Sequence, residues 1–184
     1  MGQMMTSLRP AFTSYLVPQQ LCFGVKGAAE IIVHGIRTTV KHWPNKVVLV
    51  LDIKKAYPSV QRATIAERLR KVPDIANYPR LFDALNKSGR VLYTDRAGTR
   101  LFEEGTEGRL ADADEGVGQG LATSTTDFCV GVHDEVKQFD ADVQAEDADG
   151  VARFFANDGF AAASPKATIE AAVRFSKDLL ANTG

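Results

Sequence analysis

The stretch VARFFANDGFAAAS, residues 151–164, decides the fold. Aromatic and small apolar residues flank Asn157, Asp158 and Gly159, residue types that favour tight turns, so the stretch reads as strand–turn–strand. Such a hairpin needs a further strand to pair with. KVVLVLDI, residues 46–53, supplies it: a β-branched, nearly continuous apolar run of the kind expected for a strand covered on both faces. Asp52 closes that run. If the two segments are neighbours, Asp52 and the 157–158 tip lie side by side at one end of a sheet.

Helices are expected around this sheet. LRPAFTSYL (8–16) reads as a short helix ending before Pro18. Residues 27–43 carry Ile32, Ile36, Val40 and Trp43 at helical spacing, and Pro44-Asn45 breaks the pattern. Residues 59–72 form an amphipathic helix with Ser59 as N-cap, and 79–89 form another, closed by Gly89. RVLYT and TRLFEE, split by DRAG, resemble a hairpin. A glycine-rich turn starts 116–139 and leads into a helix; HDEVKQFDADVQAEDADG is acidic and partly loop. ATIEAAVRFSKDLLANTG closes the chain as a helix. There is no internal repeat or low-complexity linker. The expected class is α+β or mixed α/β, with helices on a sheet.

Composition narrows the options. A chain of 184 residues suits one domain with a real core, and its 45% apolar and 24% charged content is ordinary for a globular protein. The longest apolar run, VVLVL, is too short to span a bilayer, and no signal-peptide pattern opens the chain, so a soluble protein of a reducing compartment is expected. Cys22 and Cys129 show no metal or disulfide spacing and are expected as buried thiols. His34, His42 and His133 are scattered and read as surface or packing residues. The net charge of −1 conceals an asymmetry. Residues 1–102 hold 16 Lys+Arg against 6 Asp+Glu, whereas residues 103–160 hold 3 against 15. The first part could offer a basic surface to an anionic partner; the second would repel a phosphate backbone. By count alone, solvated helix faces are the favoured account of most of these charges.

The chemistry is sought where acids emerge from apolar strands. A carboxylate on a strand such as VVLVLD is costly to bury without a partner. Asp52 either caps the DIKKAYPS turn, pairs with a nearby lysine, or serves a site. Asp158 belongs to a turn sequence that needs no function to explain it. Together at one sheet end, two such carboxylates suit Mg²⁺, which takes one or two carboxylates plus substrate phosphates, as in two-metal nucleotidyl transfer.

Four segments in order, QLCFGVKGAAEIIVHGIR, VVLVLDIKKAYPSVQR, DEGVGQGLATSTTDFCVGVHDEV and RFFANDGF, resemble the palm of a reverse transcriptase, an RNA-directed DNA polymerase, from a non-LTR-type retroelement. The likeness runs from about Pro18 to the C-terminus, and four motifs in order are more specific than any one. It implies an α+β fold: a palm-like sheet of a strand and a catalytic β-hairpin, packed by helices. Residues 1–184 would be a single domain fragment, part of the fingers plus the palm, with truncated fingers and no thumb.

By resemblance, Asp52 matches the first metal-binding aspartate and Asp158 the second acid of the Asp-Asp turn, while Asn157 stands where the first acid of that turn belongs. Gly116, Gln119 and Gly120 match a turn-plus-helix lying against the templating base and incoming nucleotide. Tyr57 matches the aromatic steric gate that disfavours a ribonucleotide's 2′-hydroxyl; core packing before Pro58 is the other reading. The implied cofactor is Mg²⁺, two ions. The implied partners are RNA template, DNA primer and deoxynucleoside triphosphates, and no membrane is implied.

Departures weigh against activity. QGLAT stands where the family usually has Gln-Gly-Asp-Pro-Leu, and Arg9-Pro10 sits too close to Gln20 for a triphosphate-holding role. LLANTG stops where the family usually places a lysine. Asn157 matters most. Two divalent ions about 3.5–4 Å apart need anionic ligands between them, and an amide brings no charge. The expected outcome is impaired catalysis on an intact turn. The alternative is a non-catalytic, retroelement-derived nucleic-acid-binding or structural protein, using Lys26, Arg37, Lys41, Lys54, Lys55 and Arg62.

Overall fold

A computed structural model describes residues 2–75, 77–86, 90–91, 111–112, 116–118 and 123–183. In chain order its elements are α1 (Gly2–Leu16), α2 (Ala28–His42), β1 (Val47–Asp52), α3 (Ala56–Ser59), α4 (Arg62–Leu69), α5 (Tyr78–Leu85), β2 (Arg90–Val91) and β3 (Ala111–Asp112). There follow α6 (Ser124–Gly131), α7 (His133–Glu146), β4 (Val151–Phe155), β5 (Asp158–Ala163) and α8 (Pro165–Thr183). The main sheet is antiparallel, ordered β1-β5-β4. Gln20 joins β4 beside Phe154 through a bridge: Phe154 N–H donates to Gln19 O at 2.7 Å and Leu21 N–H to Phe154 O at 2.8 Å. The architecture is mixed α and β, as the sequence leads one to expect.

Residues opposite one another in an antiparallel pair share a face. One face therefore carries Leu49, Leu51, Gly159, Ala161, Ala163, Ala152 and Phe154. It packs on α7 and α8, where Phe139, Phe154 and Phe175 meet with ring centroids 4.9–6.1 Å apart. Ala152, Ala161, Ala163, Ala167 and Ala171 are fully buried, small enough to bring helices close to the strands. Gly159 follows the same logic, since a Cβ there would stand 2.4 Å from the Phe154 ring. A second part of the core gathers Phe12 and Leu16 of α1, Ile65 and Leu69 of α4, and Phe128 of α6.

The other face carries Val48, Val50, Asp52, Ala162, Phe160, Asp158 and Phe155, and α2 only partly covers it. Here the expectation for β1 fails. It is an edge strand, and Val50 is 72% exposed, so its continuous apolar composition does not mean cover on both faces.

Several local expectations change as well. The first helix begins at Gly2, because Met5, Leu8, Phe12 and Leu16 continue one apolar stripe through Pro10. Ser59 is not an N-cap. Its hydroxyl donates back to Lys55 O at 2.8 Å and closes α3, and α4 starts after Gln61. α5 ends at Leu85, where Asn86 Nδ2 bonds Phe82 O at 3.1 Å; Gly89 lies outside the described residues. Residues 116–139 do not run as one helix, for α6 and α7 part at Val132. The acidic segment after it is helical through Glu146. Of the RVLYT/TRLFEE hairpin only Arg90–Val91 is described, paired with Ala111–Asp112; the rest lies outside the described residues.

The acids of α7 are largely consumed internally. Asp140 pairs with Arg153 at 2.8 Å, Asp142 with Arg174 at 2.8 Å and Glu146 with Lys166 at 3.3 Å. Glu135 makes a two-pronged ion pair with buried Arg68 at 2.5 and 2.6 Å. The negative half of the sequence is thus partly the fold's own counter-charge. No helix among the described residues is long and apolar enough to cross a membrane.

Candidate functional site

Strand register sets the site. Asp52 is the last residue of β1, and its partner across the ladder is Asp158, the first of β5. The ladder continues one step, with Ile53 N–H donating to Asn157 O at 3.0 Å. Opposed residues of this kind have Cβ atoms about 4.5–5.5 Å apart, so two exposed carboxylates sit side by side on the open face. Like charges so placed repel. Asn157 relieves this, its Nδ2 donating to Asp52 Oδ1 at 3.0 Å.

The turn lies one residue earlier than Asn-Asp-Gly suggests. Phe155 pairs with Asp158, leaving Ala156 and Asn157 as the two turn residues. Ala156 takes φ +56°, a left-handed conformation that costs a non-glycine residue roughly 1 kcal/mol or more. The segment before α2 holds it there. Gln20, fully buried, donates Nε2 to Ala156 O at 3.1 Å, and the Cys22 thiol in turn donates to Gln20 Oε1 at 3.8 Å. Gln20 is a positioning residue that sequence reading missed. Its only signal is a polar amide beside the apolar segment LCF.

Tyr57 lies on α3, half-buried, its ring over Phe128 at 5.1 Å and its hydroxyl 3.2 Å from Thr125 Oγ1. Its carbonyl accepts from Val117 N–H at 2.9 Å, and Gly116 N–H donates to Val60 O at 2.9 Å. Gly116 has φ +74°, and a Cβ there would meet Pro58 Cα and O at 2.6 Å, so only glycine fits against the α3 turn. Gln119 and Gly120 lie outside the described residues. Arg62 departs from the expected basic surface. It donates Nε to Gly116 O at 2.6 Å and Nη1 to Asn86 O at 3.2 Å, stapling this turn from α4. Lys26, Arg37, Lys41, Lys54 and Lys55 are exposed.

Beneath the turn, α6 carries a buried carboxyl. Asp127 accepts from the Tyr78 hydroxyl at 2.7 Å, and burial raises its pKa to about 6 despite that bond. The site also has an apolar neighbour, a groove of about 250 Å³ between α2 and the open face. Ile32, Ile36, Val50, Phe155 and Phe160 line it, and Asp158 stands at its end. Among the described residues no three or more His, Cys, Asp or Glu gather as a metal cluster.

No protein-family model matches the chain, and no curated protein matches it. Solved structures do. Apo telomerase from Candida tropicalis, truncated from the C-terminal domain, aligns with a TM-score of 0.56 at 12% identity, covering 95% of this chain and 36% of that one. Telomerase from Candida albicans, in complex with a fragment of telomeric RNA, aligns with a TM-score of 0.49 at 14% identity, covering 94% and 30%. The chain thus spans about a third of the length of the proteins it resembles. At such identity the likeness is one of fold: this chain is folded like a portion of the Candida tropicalis telomerase structure.

Proposed function

We propose that this chain is a reverse-transcriptase-like, nucleic-acid-associated domain of non-LTR-retroelement type whose nucleotidyl-transfer centre is under-charged. The observation that carries the reading is the pairing of Asp52 with Asp158 at one sheet end, in a chain whose fold resembles part of telomerase. The ancestral reaction is attack of a primer 3′-hydroxyl on a deoxynucleoside triphosphate, templated by RNA. Asp52 and Asp158 would hold Mg²⁺, Tyr57 would exclude a 2′-hydroxyl, and Gly116, Gln119 and Gly120 would face the nucleotide and template.

The donor set fits one Mg²⁺ and not two. Two carboxylates and an amide suffice for one hydrated ion. A second ion beside it lacks the anion that Asn157 fails to supply, and one Asp52 oxygen is already engaged by the Asn157 amide. The same hydrogen bond favours a second reading, in which the fold is kept for binding nucleic acid without catalysis. Exposed Lys26, Arg37, Lys41, Lys54 and Lys55 would then contact phosphates.

Primer extension on an RNA template, with Mg²⁺ or Mn²⁺, is the test. The expected result is little or no synthesis by the parent; robust synthesis would overturn the impaired centre. RNA binding that weakens steeply with salt supports the nucleic-acid role, and absence of binding at low salt would remove it.

A further inference from the structure

The two cysteines, 107 positions apart, are in contact: Cys22 Sγ lies 3.2 Å from Cys129 Sγ. Cys22 follows the Gln19–Leu21 bridge to β4, half-buried, while Cys129 is fully buried in α6. We propose that Cys22 and Cys129 form a reversible intramolecular disulfide under peroxide, and that this bond locks the brace beneath the Ala156-Asn157 turn.

Geometry favours it. A disulfide needs a sulfur separation of about 2.05 Å, so the two atoms must close by roughly 1.2 Å, a small movement for a loop residue. Reactivity is divided between the partners. The contact with Cys129 lowers the Cys22 pKa, whereas that same contact and deep burial raise the pKa of Cys129. Cys22 is therefore the nucleophile and Cys129 the resolving thiol. The Cys22 thiolate attacks one peroxide oxygen; the O–O bond breaks, and the departing hydroxide takes a proton to leave as water. Cys22 is then a sulfenic acid. The Cys129 sulfur attacks the Cys22 sulfur, the S–O bond breaks, and a second water leaves with the Cys129 proton. Two thiols are oxidised and one peroxide is reduced. Small thiols reverse the bond by exchange.

The consequence reaches the hairpin. Cys22 sits two residues from Gln20, whose amide nitrogen holds the Ala156 carbonyl and whose amide oxygen lies 3.8 Å from the Cys22 sulfur. Tying Cys22 to α6 therefore fixes the Gln20 support of the left-handed turn residue beside Asn157 and Asp158. The inference does not depend on whether the chain polymerises.

The test treats the reduced, purified chain with a small excess of hydrogen peroxide. Expected are an intact mass short by two hydrogens, no alkylatable thiol, a Cys22–Cys129 linked peptide, and a thermal midpoint raised by on the order of 10 °C. In Cys129→Ala a dimedone adduct should appear on Cys22. In Cys22→Ala the folded protein should leave Cys129 unmodified. Retention of both free thiols, cross-linking between chains, direct passage of Cys22 to sulfinic acid, or an oxidised form no more heat-stable than the reduced one would each overturn the proposal. Should Cys129→Ala fail to fold, the linked peptide of the unmutated chain still decides.

Discussion

Phe154 and Phe155 are neighbours in one strand with opposite circumstances. Phe154 is fully buried between Phe139 and Phe175; Phe155 is 38% exposed beside the groove under α2. The helix-covered face holds the aromatic packing, and the open face holds the two acids. The contrast teaches that the charge at position 157 is separate from the packing that stabilises the sheet.

The sharpest way to break that contrast is to truncate both rings. Phe154→Ala should cost about 3–5 kcal/mol in urea unfolding, whereas Phe155→Ala should cost about 1 kcal/mol or less. Comparable losses would mean that the open face is covered in solution. Next in size, Gly116→Ala should destabilise by roughly 3 kcal/mol, from left-handed strain plus backbone contact with Pro58. A neutral effect in the same unfolding assay would show that the α3 turn yields.

Buried titrating groups sharpen the comparison further. Burial first, and Lys137 second, lower the His133 pKa to about 4, so the unfolded chain binds a proton that the folded one refuses as pH falls from about 6.5 to about 4. Stability from this group is lost on acidification through that window. Asp127 has the opposite sign. With its pKa raised to about 6, the folded chain keeps a proton that the unfolded one releases, and stability is lost as pH rises from about 4 to about 6. The two slopes oppose one another. Asp127→Asn should leave the His133 slope uncovered, making stability climb more steeply over about pH 4–6, by up to about 1.4 kcal/mol per pH unit. An unchanged slope in urea melts across that range would sink this assignment.

The smallest effect is at the tip. Asn157→Asp without divalent ions should lower stability by about 0.5–1.5 kcal/mol, through loss of the amide bond to Asp52 and added repulsion. Mg²⁺ should restore it in the substituted protein and bind that protein more tightly than the parent by calorimetry. No gain of Mg²⁺ affinity would mean that the open face does not shape a cradle even when fully charged.

Much of the sheet was legible because strand chemistry is local. VVLVLD and VARFF…GFAAA announce strands by composition, and their acids mark the strand ends. The turn falls one residue before the place that Asn-Asp-Gly suggests, because a stronger constraint lies elsewhere. Phe154 needs a bare backbone opposite it, so Gly159 goes into the strand and the turn falls to Ala156 and Asn157. Arg62 looked like a phosphate contact because sequence cannot show that Gly116 and Asn86 present it with carbonyls.

By itself, then, the sequence determined that 46–53 and 151–164 hold strands, that Asp52 closes the first of them, and that Asn157 brings no charge. These follow from residue types and short periodicities. Tertiary structure alone decided that Gln20 holds Ala156, that the acids of α7 neutralise Arg153, Arg174 and Lys166, and that Cys22 touches Cys129. Two of those pairs, Gln20–Ala156 and Cys22–Cys129, lie more than a hundred positions apart. Packing brings such pairs together, and no spacing along the chain records it.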